Sequence, residues 1–223
     1  MKNHKCFLLT ILSLAFVLLT VNKLNAQGET LKLYGIKSGI IEYKYTGDEV
    51  GKAILYFEEY GNKSAMNMDT KRGTETNKGW VISQGEYQYM FDPSKPNEGW
   101  KLKNPIIEWI HQTGHKDIEK FTEETYAKLG MKKAGTEKFL DKECPAYKGD
   151  MGKVLIWNGI LMYMEMNFGG MKSKQEVTSI KVNVPVDKKY FEIPKNIKFS
   201  DLPMFGTEGY EFEIEEEDDE GLE

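Results

Sequence analysis

The strongest constraint on the fold is a two-residue alternation of apolar and polar side chains over short stretches of the sequence. Ile41, Tyr43 and Tyr45 form one series, and Leu55 with Phe57 forms another, with glycine-containing breaks between the series. Successive side chains of a strand point to opposite faces, so this pattern predicts strands buried on one side. The sequence therefore predicts a mainly β fold.

Helical spacing is found only in the middle of the chain. Asn104 is placed to cap a helix that begins at Pro105 and ends at Gly114, with apolar residues at helical spacing at Ile106, Trp109 and Ile110. A second helix is predicted from about residue 117 to 129, with Gly130 as its stop. We expect these two short helices to pack on the sheet.

Asn158-Gly159 lies between two apolar runs, and this dipeptide is the strongest short signal for a β-hairpin. A two-residue loop predicts that Trp157 pairs with Ile160, Leu155 with Met162, and Lys153 with Met164. One face would then carry Leu155, Trp157, Ile160, Met162, Met164 and Met166, and the other Val154, Ile156, Leu161 and Tyr163. Both faces are apolar near the turn, so we expect something to cover each of them.

The N-terminus has the layout of a secretory signal peptide over residues 1–26. Lys2 and Lys5 precede an apolar run from Phe7 to Leu19, and Ala26 is the expected cleavage residue. The alternative is a membrane anchor, but the run is shorter than the roughly 20 residues that a spanning helix needs. We therefore expect an exported protein, in the periplasm or cell envelope of a Gram-negative bacterium, with no transmembrane span after cleavage.

Charge is concentrated at the C-terminus. Residues 208–223 contain ten acidic side chains and no basic one, whereas residues 27–207 contain 27 basic and 25 acidic side chains. The near-neutral body gives no support to nucleic-acid binding. The domain organisation predicted is a signal peptide (1–26), an N-terminal segment (27–37), one domain (38–206) and a disordered acidic tail (207–223).

His111, His115 and Cys144 carry side chains that could bind a metal ion or act as a nucleophile. His111 and His115 have the spacing of zinc ligands on one helix face, but Gly114 is expected to end that helix, so two surface histidines are favoured. Cys144 is the only cysteine after residue 26, which excludes an internal disulfide in the mature chain and favours a small buried residue over a nucleophile. We predict no catalytic residue, no metal site and no cofactor.

Three alternate methionines, Met162, Met164 and Met166, allow three interpretations. Methionine fills irregular apolar cores, lines adaptable hydrophobic pockets, and can bind Cu(I) through its thioether. A core role is favoured over a pocket lining, and both over copper.

Two stretches of sequence resemble the lipoprotein-carrier superfamily of bacterial envelopes, the LolA/LolB-like proteins, and within it an uncharacterised family of exported proteins. The first is Trp80-Val-Ile-Ser-Gln-Gly-Glu-Tyr-Gln-Tyr-Met-Phe-Asp-Pro93; the second runs from Val154-Leu-Ile-Trp-Asn-Gly-Ile through Glu176-Val-Thr-Ser-Ile to Tyr190-Phe-Glu-Ile-Pro194. The resemblance implies an incomplete antiparallel β-barrel, or strongly curved sheet, whose short central helices plug the concave face. It also implies an apolar cavity that holds acyl chains. The carriers use an arginine on an early strand to latch their lid; residues 53–70 contain none, and Arg72 is displaced.

Two functional hypotheses follow. The first is a non-enzymatic envelope protein that binds or carries a lipid or acyl chain, with a cavity lined by Trp157, Ile160, Met162, Met164, Leu155, Tyr87, Tyr89 and Trp109. The second is a protein–protein interaction module of the envelope whose cavity is filled by its own side chains, with a sheet edge or the acidic tail engaging an envelope protein.

Overall fold

The computed structural model describes residues 32–114 and 117–202, and of Phe168 only the backbone. The predicted signal peptide (1–26), the predicted acidic tail (207–223) and His115 lie outside the described residues and stay predictions. In the described part, no helix is long and apolar enough to cross a membrane.

Two antiparallel meanders make up almost all of the sheet. The first contains β1 (Gly39–Gly47), β2 (Glu49–Glu58), β3 (Lys63–Arg72), β4 (Glu75–Gln84), β5 (Tyr87–Phe91) and β6 (Gly99–Lys103). Helices α1 (Pro105–Thr113) and α2 (Ile118–Lys128) follow it. The second contains β7 (Lys132–Phe139), β8 (Lys142–Gly149), β9 (Gly152–Trp157), β10 (Ile160–Phe168) and β11 (Met171–Val182). Short 3₁₀ turns cover Glu59–Gly61 and Lys188–Phe191, and β12 (Phe199–Asp201) is the last strand described.

The two meanders form one sheet because β1 pairs with β11. The strand order is β12-β6-β5-β4-β3-β2-β1-β11-β10-β9-β8-β7, with β12 parallel to β6 and the other neighbours antiparallel. Within residues 32–202, the end strands β12 and β7 are not paired with each other, so this sheet does not close into a barrel. The predicted fold class, a mainly β incomplete barrel with short helices, is confirmed.

The predicted alternation holds in the central strands. Ile41, Tyr43 and Tyr45 are buried on the face that we call the inner face, while Glu42 and Lys44 between them are exposed. Cross-strand pairing places Leu55 opposite Ile41, and Met66 opposite Leu55, so the same face continues across β2 and β3. Helix α1 packs on this face through Ile106, Ile107 and Ile110, which belong to the same buried cluster.

Both helices begin and end where the sequence predicted. Asn104 Oδ1 accepts a hydrogen bond from the Ile106 amide at 3.1 Å, and Gly114 adopts φ 69°, a left-handed conformation that favours glycine at a helix end. Asp117 caps α2 by accepting hydrogen bonds from the amides of Glu119 and Lys120. These caps are local, which explains why the sequence alone located both helices.

The hairpin of β9 and β10 confirms its turn and corrects its register. Asn158 and Gly159 both have positive φ, 51° and 76°, and Trp157 pairs with Ile160 as predicted. The predicted pairing of Leu155 with Met162 and of Lys153 with Met164 is wrong, because a bulge at Met162 shifts the register by one residue. Beyond it, Leu155 lies opposite Tyr163 and Val154 opposite Met164, so Leu155 does not share a face with Met164.

The outer face of the first meander is covered by the segment that follows β11. Ala65, Ile82, Phe91 and Ile197 form a second buried cluster. Tyr190 stacks on Tyr56 with ring centroids 4.0 Å apart, and Phe199 packs edge-on against Tyr89 and Phe91. The chain itself thus covers the outer face of the first meander, whereas the sequence predicted a cover on both faces only for the β9–β10 hairpin.

Residues 32–37 are packed into the main core. Leu33, Tyr34 and Ile36 are buried, and the amides of Leu33 and Tyr34 donate to the Tyr60 carbonyl at 3.0 and 2.9 Å. A Cβ at Gly159 would lie 2.2 Å from the Leu33 carbonyl oxygen, so this segment also fits closely against the β9–β10 turn. The described part of the predicted N-terminal segment is thus integral to the folded domain.

Burial of four tyrosines predicts a loss of stability at alkaline pH. Burial raises the pKa of Tyr34, Tyr43, Tyr45 and Tyr126, whereas tyrosines of the unfolded chain ionise near pH 10. The native state therefore holds these protons while the unfolded state releases them. The contribution of these tyrosines to stability is fully present below about pH 10. Above that pH the free energy of unfolding falls by up to about 1.4 kcal/mol per pH unit for each tyrosine. Urea unfolding over a pH series measures the slope.

A Tyr45→Phe variant provides the control for that series. Removing one buried hydroxyl should reduce the alkaline slope by the contribution of one tyrosine. Ultraviolet absorbance of tyrosinate follows the native titration directly. Ionisation of all twelve tyrosines near pH 10 in the still-folded protein would contradict the assignment.

Candidate functional site

Four of the eight predicted site residues lie in the main core. Leu155, Ile160, Met162 and Met164 are each 5% exposed or less and belong to the buried cluster that also contains the isoleucines of α1. Trp109 and Trp157 are half-buried against this cluster. The structure therefore places six of the predicted residues in or against one contiguous core, but not on one face, since the bulge separates Leu155 from Met164.

Tyr87 and Tyr89 do not join this region. In the pairing of β4 with β5, Gln88 lies opposite Ser83 and Met90 opposite Val81, and these are the buried inner-face residues. Tyr87 and Tyr89 consequently point to the outer face, where Lys101 Nζ lies 4.7 Å from the ring centre of Tyr87. The sequence analysis predicted that Tyr87 and Tyr89 line the cavity, but sequence alone does not show to which side of the sheet they point.

Methionine is prominent among the buried residues of the main core. Met66, Met68, Met90, Met131, Met162 and Met164 are all buried there, and Met66 and Met162 have no measurable exposure. Met162 lies in the bulge of β10 and so leaves the regular alternation with Met164 and Met166 that suggested a thioether ladder. An unbranched thioether adapts its shape easily, so this lining can repack around different apolar partners.

The inner face also holds polar side-chain atoms with no hydrogen-bond partner among the described residues. They include the hydroxyl of Tyr43, both amide atoms of Gln175 and the hydroxyls of Ser64, Ser83 and Ser173. Gln175 is fully buried between Tyr45 of β1 and Met164 of β10. Such atoms are uncommon in folded proteins, because a buried polar group without a partner costs free energy.

A buried ion pair lies at the β2–β3 end of the inner face. Arg72 Nη2 donates to Glu49 Oε2 at 2.9 Å, and the Thr70 hydroxyl donates to Glu49 Oε1. The side chain of Glu49 is 1% exposed and that of Arg72 is 15% exposed. Arg72 is the only arginine of the chain, and its Nε and Nη1 atoms are buried without a partner among the described residues.

The helices contact each other and the sheet in different ways. Trp109 Nε1 donates to Glu124 Oε2 at 3.0 Å, and the Trp109 and Phe121 rings pack edge to face, so α1 and α2 are joined to each other. The ion pairs of Lys133 with Glu119 and Glu123 link α2 to β7 but are exposed. The Tyr126 ring stacks on Tyr147 of β8. Lys103 of β6 also pairs with Glu108 of α1 at 3.7 Å, so both helices combine apolar packing with ion pairs to the sheet.

Cys144 and His111 have the surroundings of structural residues. Burial raises the pKa of the Cys144 thiol, the nearby Glu143 raises it further, and Sγ contacts the Lys142 carbonyl oxygen at 3.5 Å. A protonated buried thiol is a poor nucleophile. His111 is exposed, and the described residues contain no cluster of three His, Cys, Asp or Glu side chains suited to a metal ion.

The outer face of β1, β2 and β3 has an open groove of about 700 Å³. A register shift in β1 between Glu42 and Tyr43 accompanies it, and Lys44, Lys52 and Asp69 are among the side chains around it. The groove is charged at its edges and contains exposed Val50. Because it is open to solvent and bordered by charged side chains, it is a weaker candidate for an apolar ligand than the core behind α1.

Comparison with known proteins gives a fold likeness only. No family model and no curated protein matches the chain. An uncharacterized conserved protein from Thermus thermophilus has a TM-score of 0.48 at 6% identity, over 75% of this chain and 92% of that one. A LolA superfamily protein from Nitrosomonas europaea has a TM-score of 0.33 at 12% identity, over 73% of this chain and 93% of that one. MucB in complex with MucA(peri) has a TM-score of 0.38 at 7% identity, over 71% of this chain and 55% of that one. This chain thus spans just over half of MucB.

Removal of Arg72 should destabilise the domain strongly. Arg72→Met leaves the Glu49 carboxylate buried without its charged partner, which we expect to lower the free energy of unfolding by about 3–5 kcal/mol. The double variant Glu49→Gln/Arg72→Met should recover most of that loss, because no charge is then left unpaired. Urea unfolding of the three proteins measures both effects.

The exposed pair of Lys78 and Asp69 is the matched control. Lys78 Nζ lies 3.1 Å from Asp69 Oδ2, but the Lys78 side chain is 60% exposed and that of Asp69 is 51% exposed. Lys78→Met should therefore lower the free energy of unfolding by less than about 1 kcal/mol. Equal losses for Arg72→Met and Lys78→Met would contradict the importance given to the buried pair.

Proposed function

We propose that this protein is a non-enzymatic binding or carrier protein for a lipid or acyl chain, and that the apolar chain occupies the space that α1 fills in the described structure. The observation that supports this most is the position of α1. It lies on the inner face of an unclosed sheet and inserts Ile106, Ile107 and Ile110 among buried methionines. The ligand would take the place of these three side chains.

The energies involved make such an exchange feasible. Exposing three buried isoleucines costs about 1.5–3 kcal/mol each, whereas burying an acyl chain contributes about 0.8 kcal/mol per methylene. A chain of roughly ten or more methylenes therefore offsets the displacement of α1. Met162 and Met164 can adjust their rotamers to the new occupant.

The contacts of the helices are compatible with movement as one unit. Trp109 joins α1 to α2 through Glu124 and Phe121. The ion pairs of Lys133 with α2 are exposed and contribute little. Lys103 of β6 and Glu108 of α1 form a longer pair, at 3.7 Å. The chain leaves α2 at Gly130, which has φ 69° and whose missing side chain would meet no other atom within 4 Å. A hinge there would let the pair of helices move away from the inner face.

The expected place of action follows from the N-terminal sequence. Residues 1–26 have the charge, apolar run and small cleavage residue of a signal peptide, so we propose export to the envelope of a Gram-negative bacterium. There, lipids and acylated proteins are the apolar cargo that needs a soluble binding protein.

An interaction module is the second candidate, and the filled core favours it. Ile106 and Met162 have no measurable exposure, so the inner face already has an occupant. The open edge strand β7 or the acidic residues 207–223 would then engage an envelope protein. Deletion of residues 207–223 separates the two candidates: loss of a co-purifying partner with unchanged lipid content supports the interaction module.

Ile107→Ala should strengthen ligand binding if α1 competes with the ligand. The substitution weakens the packing of α1 and lowers the cost of its displacement, so the affinity for a fluorescent long-chain fatty acid should rise by at least about tenfold. Titration of the detergent-free protein with the probe, supported by native mass spectrometry, measures the change.

Ile82→Ala is the matched control for that variant. Ile82 is 2% exposed and Ile107 4%, but Ile82 belongs to the outer-face cluster. Its replacement should cost similar stability and leave affinity unchanged. An equal rise in affinity in both variants would show that destabilisation in general, and not release of α1, improves binding. If the wild-type protein and both variants all fail to bind the probe, the carrier proposal is overturned.

A further inference from the structure

We infer that Gln175 and Tyr43 form a carbonyl-binding site inside the core, which makes the protein selective for acyl chains that carry an uncharged ester or amide group. This inference rests on the proposed function. It assigns a specificity-determining role to two inner-face residues that the sequence analysis did not select.

The position of Gln175 provides the first reason. Its side chain is fully buried, and neither Oε1 nor Nε2 has a hydrogen-bond partner among the described residues. In the sheet it lies between Tyr45 and Met164, so its neighbours on both sides belong to the inner face. A buried amide without a partner destabilises the unliganded protein, and a methionine of similar size would avoid that penalty. A ligand that hydrogen-bonds to the Gln175 amide would remove this penalty, which explains why a polar side chain lies in the core.

Tyr43 supplies the second group. It lies opposite Val177, one inner-face position along from Gln175, and its hydroxyl is buried without a partner among the described residues. Burial, with smaller contributions from Tyr34 and Tyr45, raises the pKa of Tyr43 well above its usual value. The hydroxyl therefore keeps its proton and is available as a donor. The Gln175 Nε2 amide offers a second donor on the same face.

The chemistry of these groups selects the ligand. A carbonyl oxygen accepts up to two hydrogen bonds, which matches one hydroxyl and one amide donor. The nearby buried charges, Glu49 and Arg72, already pair with each other. A buried carboxylate would lack a counter-charge, so a neutral ester or amide is favoured over a free fatty acid. A plain hydrocarbon would leave both donors unpaired.

Three ligands with one chain length test the inference: a saturated fatty-acid methyl ester, the free acid, and the alkane. We expect the wild-type protein to bind the ester at least about tenfold more tightly than the alkane, since each hydrogen bond contributes roughly three- to tenfold. The ester should also bind more tightly than the acid at neutral pH.

Gln175→Met and Tyr43→Phe remove the proposed donors while keeping side-chain volume. Each should reduce the preference for ester over alkane by about three- to tenfold and leave alkane binding unchanged. Gln175→Met should also unfold at the same or a higher urea concentration than the wild-type protein, whereas loss of a structural hydrogen bond would lower it. Two independent variants keep the test decisive if one of them folds poorly.

The outcomes separate this inference from the proposed function. Equal binding of ester and alkane by the wild-type protein, or an unchanged preference in both variants, would overturn the carbonyl site while the carrier function stands. Binding of none of the three ligands would overturn both.

Discussion

The architecture depends on the hydrogen bonding between β1 and β11, two strands that are far apart in the chain. This pairing turns two local meanders into one sheet, and it places Ile41 beside Ile180 and Tyr45 beside Gln175. The connection between the meanders must then cross from β6 to β7, the outer ends of the two meanders. Helices α1 and α2 make that crossing, and they pack on the inner face.

The inner face combines close packing with features that do not maximise stability. A core of leucine and isoleucine would pack without unpaired polar atoms, yet this one holds several methionines, a buried Glu49–Arg72 pair and the unpartnered amide of Gln175. Adaptable side chains and unsatisfied hydrogen-bonding groups each lower the stability of a fixed core. Both are expected in an interior that exchanges its own helix for a ligand, and their occurrence together links the packing to the proposed function.

Coverage of the sheet illustrates how far local sequence signals extend. The apolar character of both faces of the β9–β10 hairpin correctly indicated that a one-sided sheet was insufficient. It did not indicate that residues 32–37 would pack against the Asn158–Gly159 turn, or that Tyr190 and Phe199 would cover the first meander. The three residues of β12, which pair in parallel with β6, have no periodicity long enough to be recognised.

The sequence by itself determined the strand alternation, both capped helices, the turn at Asn158-Gly159 and the burial of Cys144, because each depends on neighbouring residues or on residue type. The residues of the predicted cavity are divided by the fold: Met162 and Met164 lie in the core, whereas Tyr87 and Tyr89 point to the outer face. Contact of these residues with a ligand stays a prediction. Only the tertiary structure decided the bulge at Met162, the side on which each aromatic series lies and the isolation of Gln175. A bulge changes the register without changing composition, and a hydrogen-bond partner is defined by strands that come together only when the chain folds.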